Sequence, residues 1–391
     1  MKITALKTVV VNAQMRNWVF VKVETDQGIH GWGEASLEWK TRAVAGAVAD
    51  FEPMVLGEDP ARIEHLYQKM YRQSFWRLGV IGMSAISGIE QACWDILGKS
   101  LGQPVYKLLG GAVRDRIRMY THLGGGDMHA VYESQLSADP KIFVDRALEV
   151  VAKGYTALKV LITPPTETLN SIAAYRFAAR VMDALRMAVG DSVDIMIDCH
   201  GRHALGNAVE FCRMLAPYRP LFVEEPVPPE NVDVMAEVRK LSPVPIATGE
   251  RLVTRFQFRP LFEKQACHVI QPDLCHCGGL AEAKKIAAMA EAYYLGVAPH
   301  NPLGPVANAV ALHFALSTPN FLIQEDMLAD VPWRWDVVRH TLQTQNGYWL
   351  PTDAPGLGVE VDEQAAAKHP FQQEIMHSIS VRAHDNAVLD W

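Results

Sequence analysis

The sequence is poor in cysteine, in basic charge and in long apolar runs. Six cysteines among 391 residues are too few for a disulfide scaffold, so we expect a reduced, cytoplasmic protein. The 37 basic residues are outnumbered by 44 acidic ones, which argues against nucleic acid as a partner. The start of the chain lacks the features of a secretory signal. The most apolar window, Pro302 to Leu316, falls short of the roughly 20 residues that span a bilayer, so no membrane partner is predicted.

The remaining composition is that of a globular chain with a large core. With 49% hydrophobic residues, 27 glycines and 23 prolines, it is neither collagen-like nor disordered. Apolar residues alternate from Ile3 to Val23, which predicts antiparallel strands. From about Thr41 to Leu109 the apolar spacing becomes helical. We therefore predict an α+β domain over residues 1–115.

Short strands separated by long amphipathic helices follow, which is the pattern of a parallel sheet built from βα units. The eight predicted strand ends lie about 29 residues apart on average, and eight such units can close a barrel. They are Tyr120-Thr121, Leu158 to Val160, Ile195 to Asp198, Leu221 to Glu224, Ile246 to Gly249, Val269 to Asp273, Val297 to His300 and Leu322 to Glu325. We predict a barrel over residues 116–335 and a loop-rich segment over 336–391 that packs on the first domain.

Polar side chains recur at the carboxyl ends of these strands, the edge that forms the mouth of a barrel. They are Lys159, Asp198, His200, Glu224, Glu250, Asp273, His300 and Glu325. One such residue alone is more often a helix cap, but eight at one edge indicate a site. Asp198, Glu224 and Glu250 come from consecutive strands, and their carboxylates repel one another unless a cation lies between them. Oxygen ligands favour Mg²⁺ over zinc.

Two histidines at this edge are candidates for acid–base chemistry. His300 and Asp273 follow neighbouring strands, so the aspartate can fix the tautomer of the imidazole and raise its basicity. The alternative is a structural histidine bonded to a loop carbonyl. His200 lies two residues beyond Asp198, on the same face of the strand, where it can reach a bound substrate.

Six segments at these strand ends together resemble one known family. They are Ile197-Asp198-Cys199-His200, Val223-Glu224-Glu225-Pro226, Thr248-Gly249-Glu250-Arg251, Gln271-Pro272-Asp273-Leu274, Pro299-His300-Asn301-Pro302 and Ile323-Gln324-Glu325. The set resembles the enolase superfamily in its mandelate racemase-like branch, and within it the galactonate dehydratases and related sugar-acid dehydratases. This resemblance implies an α/β fold, a modified (β/α)7β TIM-like barrel with an α+β capping domain formed by the N-terminal region and the C-terminal segment. It also implies one Mg²⁺ per active site and a homo-oligomer.

The resemblance also assigns roles to the metal ligands. It implies that Asp198, Glu224 and Glu250 hold the metal. Glu225 is the alternative to Glu224, but it follows the ligand in the motif, and neighbouring side chains of a strand point in different directions.

The same resemblance implies the catalytic groups. His300, oriented by Asp273, removes the C2 proton, and His200 protonates the departing 3-hydroxyl. Glu325 hydrogen-bonds the substrate carboxylate, which Lys159 also touches. Trp18, Trp39 and Trp76 are candidate packing residues of the first domain. In this family, however, the first β-turn reaches over the barrel mouth, so we also expect substrate contacts from the turn that contains Trp18. The predicted substrate-binding set is Arg16, Asn17, Trp18, His200, Glu250, His300 and Glu325.

We therefore predict a Mg²⁺-dependent dehydratase, a hydro-lyase, that converts a small-molecule aldonate of the galactonate or gluconate type to a 2-keto-3-deoxy acid. Mannonate and aldarate dehydratases remain open, as do an epimerase or cycloisomerase and a non-catalytic barrel. Racemases and epimerases of the branch often carry a Lys-x-Lys pair, whereas this chain has Lys159-Val160-Leu161. Cys275-His276-Cys277 resembles zinc-binding spacing, but polar alternation after a strand is common, and no metal is predicted there.

Overall fold

The computed structural model describes residues 1–123, 139–163, 166–327, 330–374, 383 and 385–390. Three antiparallel strands begin the chain, as the alternation predicted. They pair in chain order and are β1 (Ile3–Ala13), β2 (Arg16–Thr25) and β3 (His30–Glu34). Val19, Val21 and Val23 of β2 are fully buried against the following helices. No helix of the described residues is long and apolar enough to span a bilayer.

Four helices complete the first unit, and two of them, the first and the third, pack on this sheet. They are α1 (Thr41–Val55), α2 (Ile63–Gln73), α3 (Gly79–Leu101) and α4 (Val105–Leu108). Helix α3 packs directly on β3, because Gly33 lets the two backbones approach. A Cβ atom at Gly33 would lie 2.0 Å from the carbonyl oxygen of Gly88. This close contact fixes α3 on the sheet.

Trp76 does not pack in this unit, in contrast to the expectation. Its side chain is 80% exposed in the loop between α2 and α3 and meets the ring of Phe75 edge-on at 5.1 Å. Phe75, Arg77 and Leu78 all have positive φ angles. This left-handed backbone turns the aromatic side chains away from the domain.

Eight parallel strands form a closed barrel, as predicted. They are β4 (Ile117–His122), β5 (Ala157–Leu161), β6 (Asp194–Asp198), β7 (Val223–Glu224), β8 (Ile246–Thr248), β9 (Val269–Ile270), β10 (Gly296–Val297) and β11 (Gln324–Glu325). Neighbours in the chain pair in order, and β11 pairs with β4. A parallel bridge between Val297 and Phe321 closes the ring.

Helices connect consecutive strands and give the (β/α)7β topology. They are α5 (Lys141–Ala152), α6 (Ile172–Val189), α7 (Leu205–Leu215), α8 (Val232–Leu241), α9 (Thr254–Glu263), α10 (Leu280–Glu291) and α11 (Pro305–Ser317). The barrel interior is filled by one inward-facing residue at or beside each strand. This layer consists of Tyr120, Ala157, Met196, Phe222, Ala247, Val269, Ala298 and Ile323. The barrel is therefore packed below its mouth.

The C-terminal segment contacts both units. Its elements are β12 (Val338–His340), β13 (Gln343–Gln345), β14 (Tyr348–Leu350), β15 (Val359–Val361) and α12 (Glu363–Ala366). Glu360 of β15 accepts a hydrogen bond from Trp32 Nε1 at 2.9 Å. Strand β14 instead pairs antiparallel with the start of β4. The segment thus extends the barrel sheet and also packs on the first unit. The domain boundaries at residues 115/116 and 335/336 stay predictions.

Candidate active site

A cavity of about 310 Å³ lies at the carboxyl ends of the barrel strands, under the turn between β1 and β2. Six of the predicted barrel residues line it, namely Lys159, Asp198, His200, Glu250, His300 and Glu325. All eight strands run parallel, so their carboxyl ends meet at one edge and bring together these residues, which are far apart in the chain.

Three carboxylates meet on one side of this cavity. Asp198 ends β6, Glu224 ends β7 beside it, and Glu250 follows β8. One carboxylate oxygen from each lies within 4.8 Å of the others. Burial raises the pKa of Glu224 and Glu250, and the neighbouring carboxylates add to this effect. Oxygen atoms of both glutamates are buried without a hydrogen-bond partner in the described part of the chain. An all-oxygen set with unpaired buried acceptors fits a divalent cation such as Mg²⁺.

Glu225 points away from this cluster. Its carboxylate accepts hydrogen bonds from Nε and Nη2 of Arg251, both at 2.6 Å. The arginine crosses Gly201, where a Cβ atom would lie 2.0 Å from Nη2. The geometry therefore brings Glu224, and not Glu225, to the other two carboxylates.

Lys159 lies buried beside the same carboxylates. Its Nζ is 2.8 Å from both Glu224 Oε1 and Glu325 Oε1, and 3.3 Å from Asp198 Oδ2. Burial opposes the charge of Lys159, but the carboxylates outweigh it and raise the lysine pKa. Burial likewise opposes the ionisation of Glu325, whose pKa is nevertheless lowered, chiefly by Lys159 and His300. Both groups are therefore charged.

His300 and Asp273 form the expected pair. His300 Nδ1 lies 2.8 Å from Asp273 Oδ2, and its Nε2 lies 3.8 Å from Glu250 Oε2. Burial lowers the basicity of the imidazole, but the bond to Asp273 and the charge of Glu325 raise the His300 pKa to about 9. His300 is therefore bonded to a carboxylate, and not to a loop carbonyl as expected for a purely structural histidine.

His200 sits on a tight turn directly after β6. It has a φ of +50°, and its backbone N–H donates to Asp198 Oδ1 at 3.0 Å. This turn places Nε2 at 3.5 Å from Asp198 Oδ2. Burial lowers the His200 pKa to about 3, although Asp198 opposes the shift. The two histidines of one cavity therefore have pKa values shifted in opposite directions.

Of the three predicted residues of the first turn, the structure brings one to the cavity. Arg16 lines it, pairs with Glu38 at 2.8 Å and donates to the carbonyl of Pro302. Asn17 donates instead to a backbone carbonyl of the C-terminal segment, and Trp18 is fully buried in the hydrophobic core. The predicted contacts of Asn17 and Trp18 are corrected, because β2 begins at Arg16. Asn17 then points to the other face, and Trp18 lies about 7 Å further along the strand.

Some lining residues were not predicted. His122 ends β4 and lines the cavity, and burial lowers its pKa to about 4. The strand pattern pointed to this position, but the predicted strand ends at Thr121, one residue before the observed end. Glu38 and Trp39 follow β3 in a loop without a periodic pattern, so no signal pointed to them. Among the described residues, no metal-holding group forms at Cys275-His276-Cys277.

The chain is similar to known proteins along its whole length. Residues 2–110 match the mandelate racemase/muconate lactonizing enzyme N-terminal domain, and residues 143–365 match the enolase C-terminal domain-like family. D-galactonate dehydratases of Xanthomonas euvesicatoria and Variovorax paradoxus are each 39% identical to this chain, with all of both chains covered. An enolase from Agrobacterium radiobacter, solved with bound Na and L-malate, is 32% identical over all of both chains, with a TM-score of 0.91. The chain belongs to the mandelate racemase-like branch of the enolase superfamily.

Proposed function

We propose that the chain is a Mg²⁺-dependent dehydratase that converts an aldonate of the galactonate or gluconate type to its 2-keto-3-deoxy acid. One observation carries the proposal. His300, which is bonded to Asp273, and His200 line one cavity together with Asp198 and Glu250, two of the three clustered carboxylates. This arrangement combines a base for the C2 proton, a group for the 3-hydroxyl and a cation site.

The reaction class rests on the full-length relatives. The chain is an enzyme of the hydro-lyase class, a sugar-acid dehydratase, in line with D-galactonate dehydratases at 39% identity over their whole length. An epimerase would need a second base on the opposite face of the substrate. The position two residues beyond Lys159 is Leu161, which lines the cavity without a titratable group.

Asp198, Glu224 and Glu250 would hold the cation. A divalent cation there supplies positive charge beside the substrate carboxylate, which makes the α-hydrogen acidic enough for a histidine to remove. Lys159 supplies a further donor beside that carboxylate. The lowered pKa of Glu325 leaves it no proton to donate to the substrate carboxylate, in contrast to the contact that the resemblance implies. Glu325 instead holds Lys159 and accepts from Asn301 N at 2.8 Å.

His300 removes the C2 proton. Because its Nδ1 is bound to Asp273, Nε2 is the atom that would receive the proton. The His300 pKa of about 9 keeps Nε2 protonated near pH 7, so we expect the positive charge of a bound cation to lower this pKa and free Nε2 for the reaction. His200 gives a proton to the leaving 3-hydroxyl. Its pKa of about 3 leaves the ring neutral near pH 7, so we expect the negative charge of the bound sugar acid to raise this pKa.

The charges of the cavity favour an aldonate over an aldarate. Each cation among the described lining residues already has an acidic partner. Arg16 pairs with Glu38, Arg251 with Glu225, and Lys159 with three carboxylates. The second carboxylate of an aldarate would have to displace one of these partners, whereas a neutral hydroxyl end would not.

A panel of aldonic and aldaric acids tests the proposal. We expect 2-keto acid formation from galactonate or gluconate with Mg²⁺, and none from the corresponding diacids. His300→Asn serves as the inactive control. Turnover confined to a diacid would refute the aldonate assignment, and epimer formation without keto acid would refute dehydration.

A further inference from the structure

One face of helix α3 in the capping unit binds the loop that follows β9. Ser87 Oγ accepts a hydrogen bond from Gly278 N at 3.1 Å. Gln91 Nε2 donates to the carbonyl of Leu274 at 2.9 Å. Ser84, Ser87 and Gln91 are three and four residues apart, so they share a helix face, and all three are fully buried. The loop is therefore held by a helix from the other unit.

Ser84 connects this helix to the catalytic pair through His276. Ser84 Oγ lies 2.9 Å from His276 Nδ1, and His276 Nε2 lies 3.6 Å from Asp273 Oδ2. The same Oδ2 atom is 2.8 Å from His300 Nδ1. His276 is only 5% exposed and takes no part in the proposed reaction. A buried imidazole thus lies between the capping unit and the aspartate of the pair.

The Ser84 hydroxyl can select the tautomer of His276. Its oxygen is also 2.8 Å from the carbonyl of Val80, and one hydroxyl has one proton to donate. If Ser84 donates to His276 Nδ1, the ring carries its proton on Nε2 and presents an N–H to Asp273. If Ser84 donates to Val80, a neutral ring presents a lone pair to the carboxylate, which is repulsive.

We propose that Ser84 and His276 are positioning residues for the His300–Asp273 pair, with Ser84 holding His276 in the tautomer that presents Nε2–H to Asp273. The role of the pair as the base rests on the proposed function. The other oxygen of Asp273 accepts from Cys275 N at 2.7 Å. His276 therefore orients the oxygen that directly holds His300, and its loss allows the carboxylate to rotate away from the imidazole.

Two amide variants of His276 test this role. The glutamine amide reaches the position of Nε2, whereas the asparagine amide reaches only that of Nδ1. We expect His276→Gln to keep kcat within about 3-fold, and His276→Asn to lower kcat about 10- to 100-fold with KM unchanged, the range typical of groups that orient a reacting residue. His313→Asn is the matched control, since His313 is a buried histidine that accepts from Tyr106 N, outside the cavity.

The outcomes separate positioning from packing. Equal loss in both His276 variants, or wild-type kcat in His276→Asn, would overturn the proposal. So would a loss in His313→Asn as large as that in His276→Asn. The fraction of folded enzyme is determined in each variant from the stoichiometry of Mg²⁺ binding by calorimetry.

A measurement without substrate keeps this inference independent of the proposed function. Nitrogen NMR of ¹⁵N-histidine-labelled protein reports the tautomer of each ring. We expect the Nε2–H form for His276 in the wild type and its loss in Ser84→Ala. An Nδ1–H ring in the wild type would overturn the inference, even if the enzyme dehydrates aldonates. Absence of keto acid from every aldonate would refute the proposed function alone.

Discussion

Replacing each cavity histidine by asparagine separates the base from the acid. His300 acts when the C2 proton leaves, whereas His200 acts only when the 3-hydroxyl leaves. His300→Asn should therefore abolish both keto-acid formation and exchange of the C2 hydrogen with deuterated water. His200→Asn should slow elimination and leave slow C2 exchange in the recovered substrate.

The size of each effect follows from the contacts. One acid–base group contributes about 10²- to 10⁴-fold, which corresponds to about 3–5 kcal/mol of transition-state stabilisation. The rate loss in His300→Asn should lie at the upper end of this range, since the substitution removes the base and its 2.8 Å bond to Asp273. His200→Asn lies lower, because its ring is neutral at the start of the reaction and its contact with Asp198 is 3.5 Å.

Proton NMR of the recovered substrate measures both outcomes in one experiment. Magnesium affinity is determined in each variant, because His200 and His300 both lie near carboxylates of the cation site. Exchange that survives in His300→Asn but vanishes in His200→Asn would reverse the two roles. Loss of exchange in both variants with normal metal affinity would refute the separation of steps.

Other predictions concern the metal, pH and assembly. Glu250→Gln should weaken Mg²⁺ binding in calorimetry and Glu225→Gln should not, and unchanged affinity in Glu250→Gln would refute the ligand assignment. Added Mg²⁺ should lower the His300 pKa from about 9 in an NMR titration, because it adds positive charge nearby. Burial raises the Glu90 pKa from 4.5 to about 7. This folded value lies above the unfolded one, so wild-type stability falls as pH rises through that window. Urea unfolding should show Glu90→Gln gaining about 3 kcal/mol relative to the wild type between pH 4.5 and 7.5. Light scattering should give a mass above that of one chain, with Trp76 exposed at 80% as a candidate contact.

The barrel and the positions of its polar residues could be predicted because both depend on local patterns. Each strand is a short apolar run, and its last residue faces the mouth whichever helix follows. Asp198 and Glu224 could therefore be placed side by side from spacing, and the register pairs them. The choice of Glu224 over Glu225 came from the family motif, and the alternation of side chains along a strand explains why only one of the two reaches the cluster.

Features that depend on pairing between distant segments could not be predicted. Ser84 and His276 are 192 positions apart, and neither lies in a motif that points to the other. The β14 strand pairs with β4 although its sequence gives no partner. The exposure of Trp76 could not be predicted for a related reason. Composition indicates a buried tryptophan, whereas left-handed backbone in its loop turns the side chain outward.

The capping unit is fixed to the same two loops that carry the catalytic pair. Glu34 of β3 accepts hydrogen bonds from Gly304 N at 2.7 Å and Ala307 N at 2.8 Å, at the start of α11. Glu90 of α3 accepts from the first two residues of α10, both at 2.8 Å. Helix N-termini present unpaired N–H groups and partial positive charge, so these bonds offset part of the cost of burying the two carboxylates. Because α10 and α11 follow the loops of Asp273 and His300, displacement of the capping unit would also displace the base.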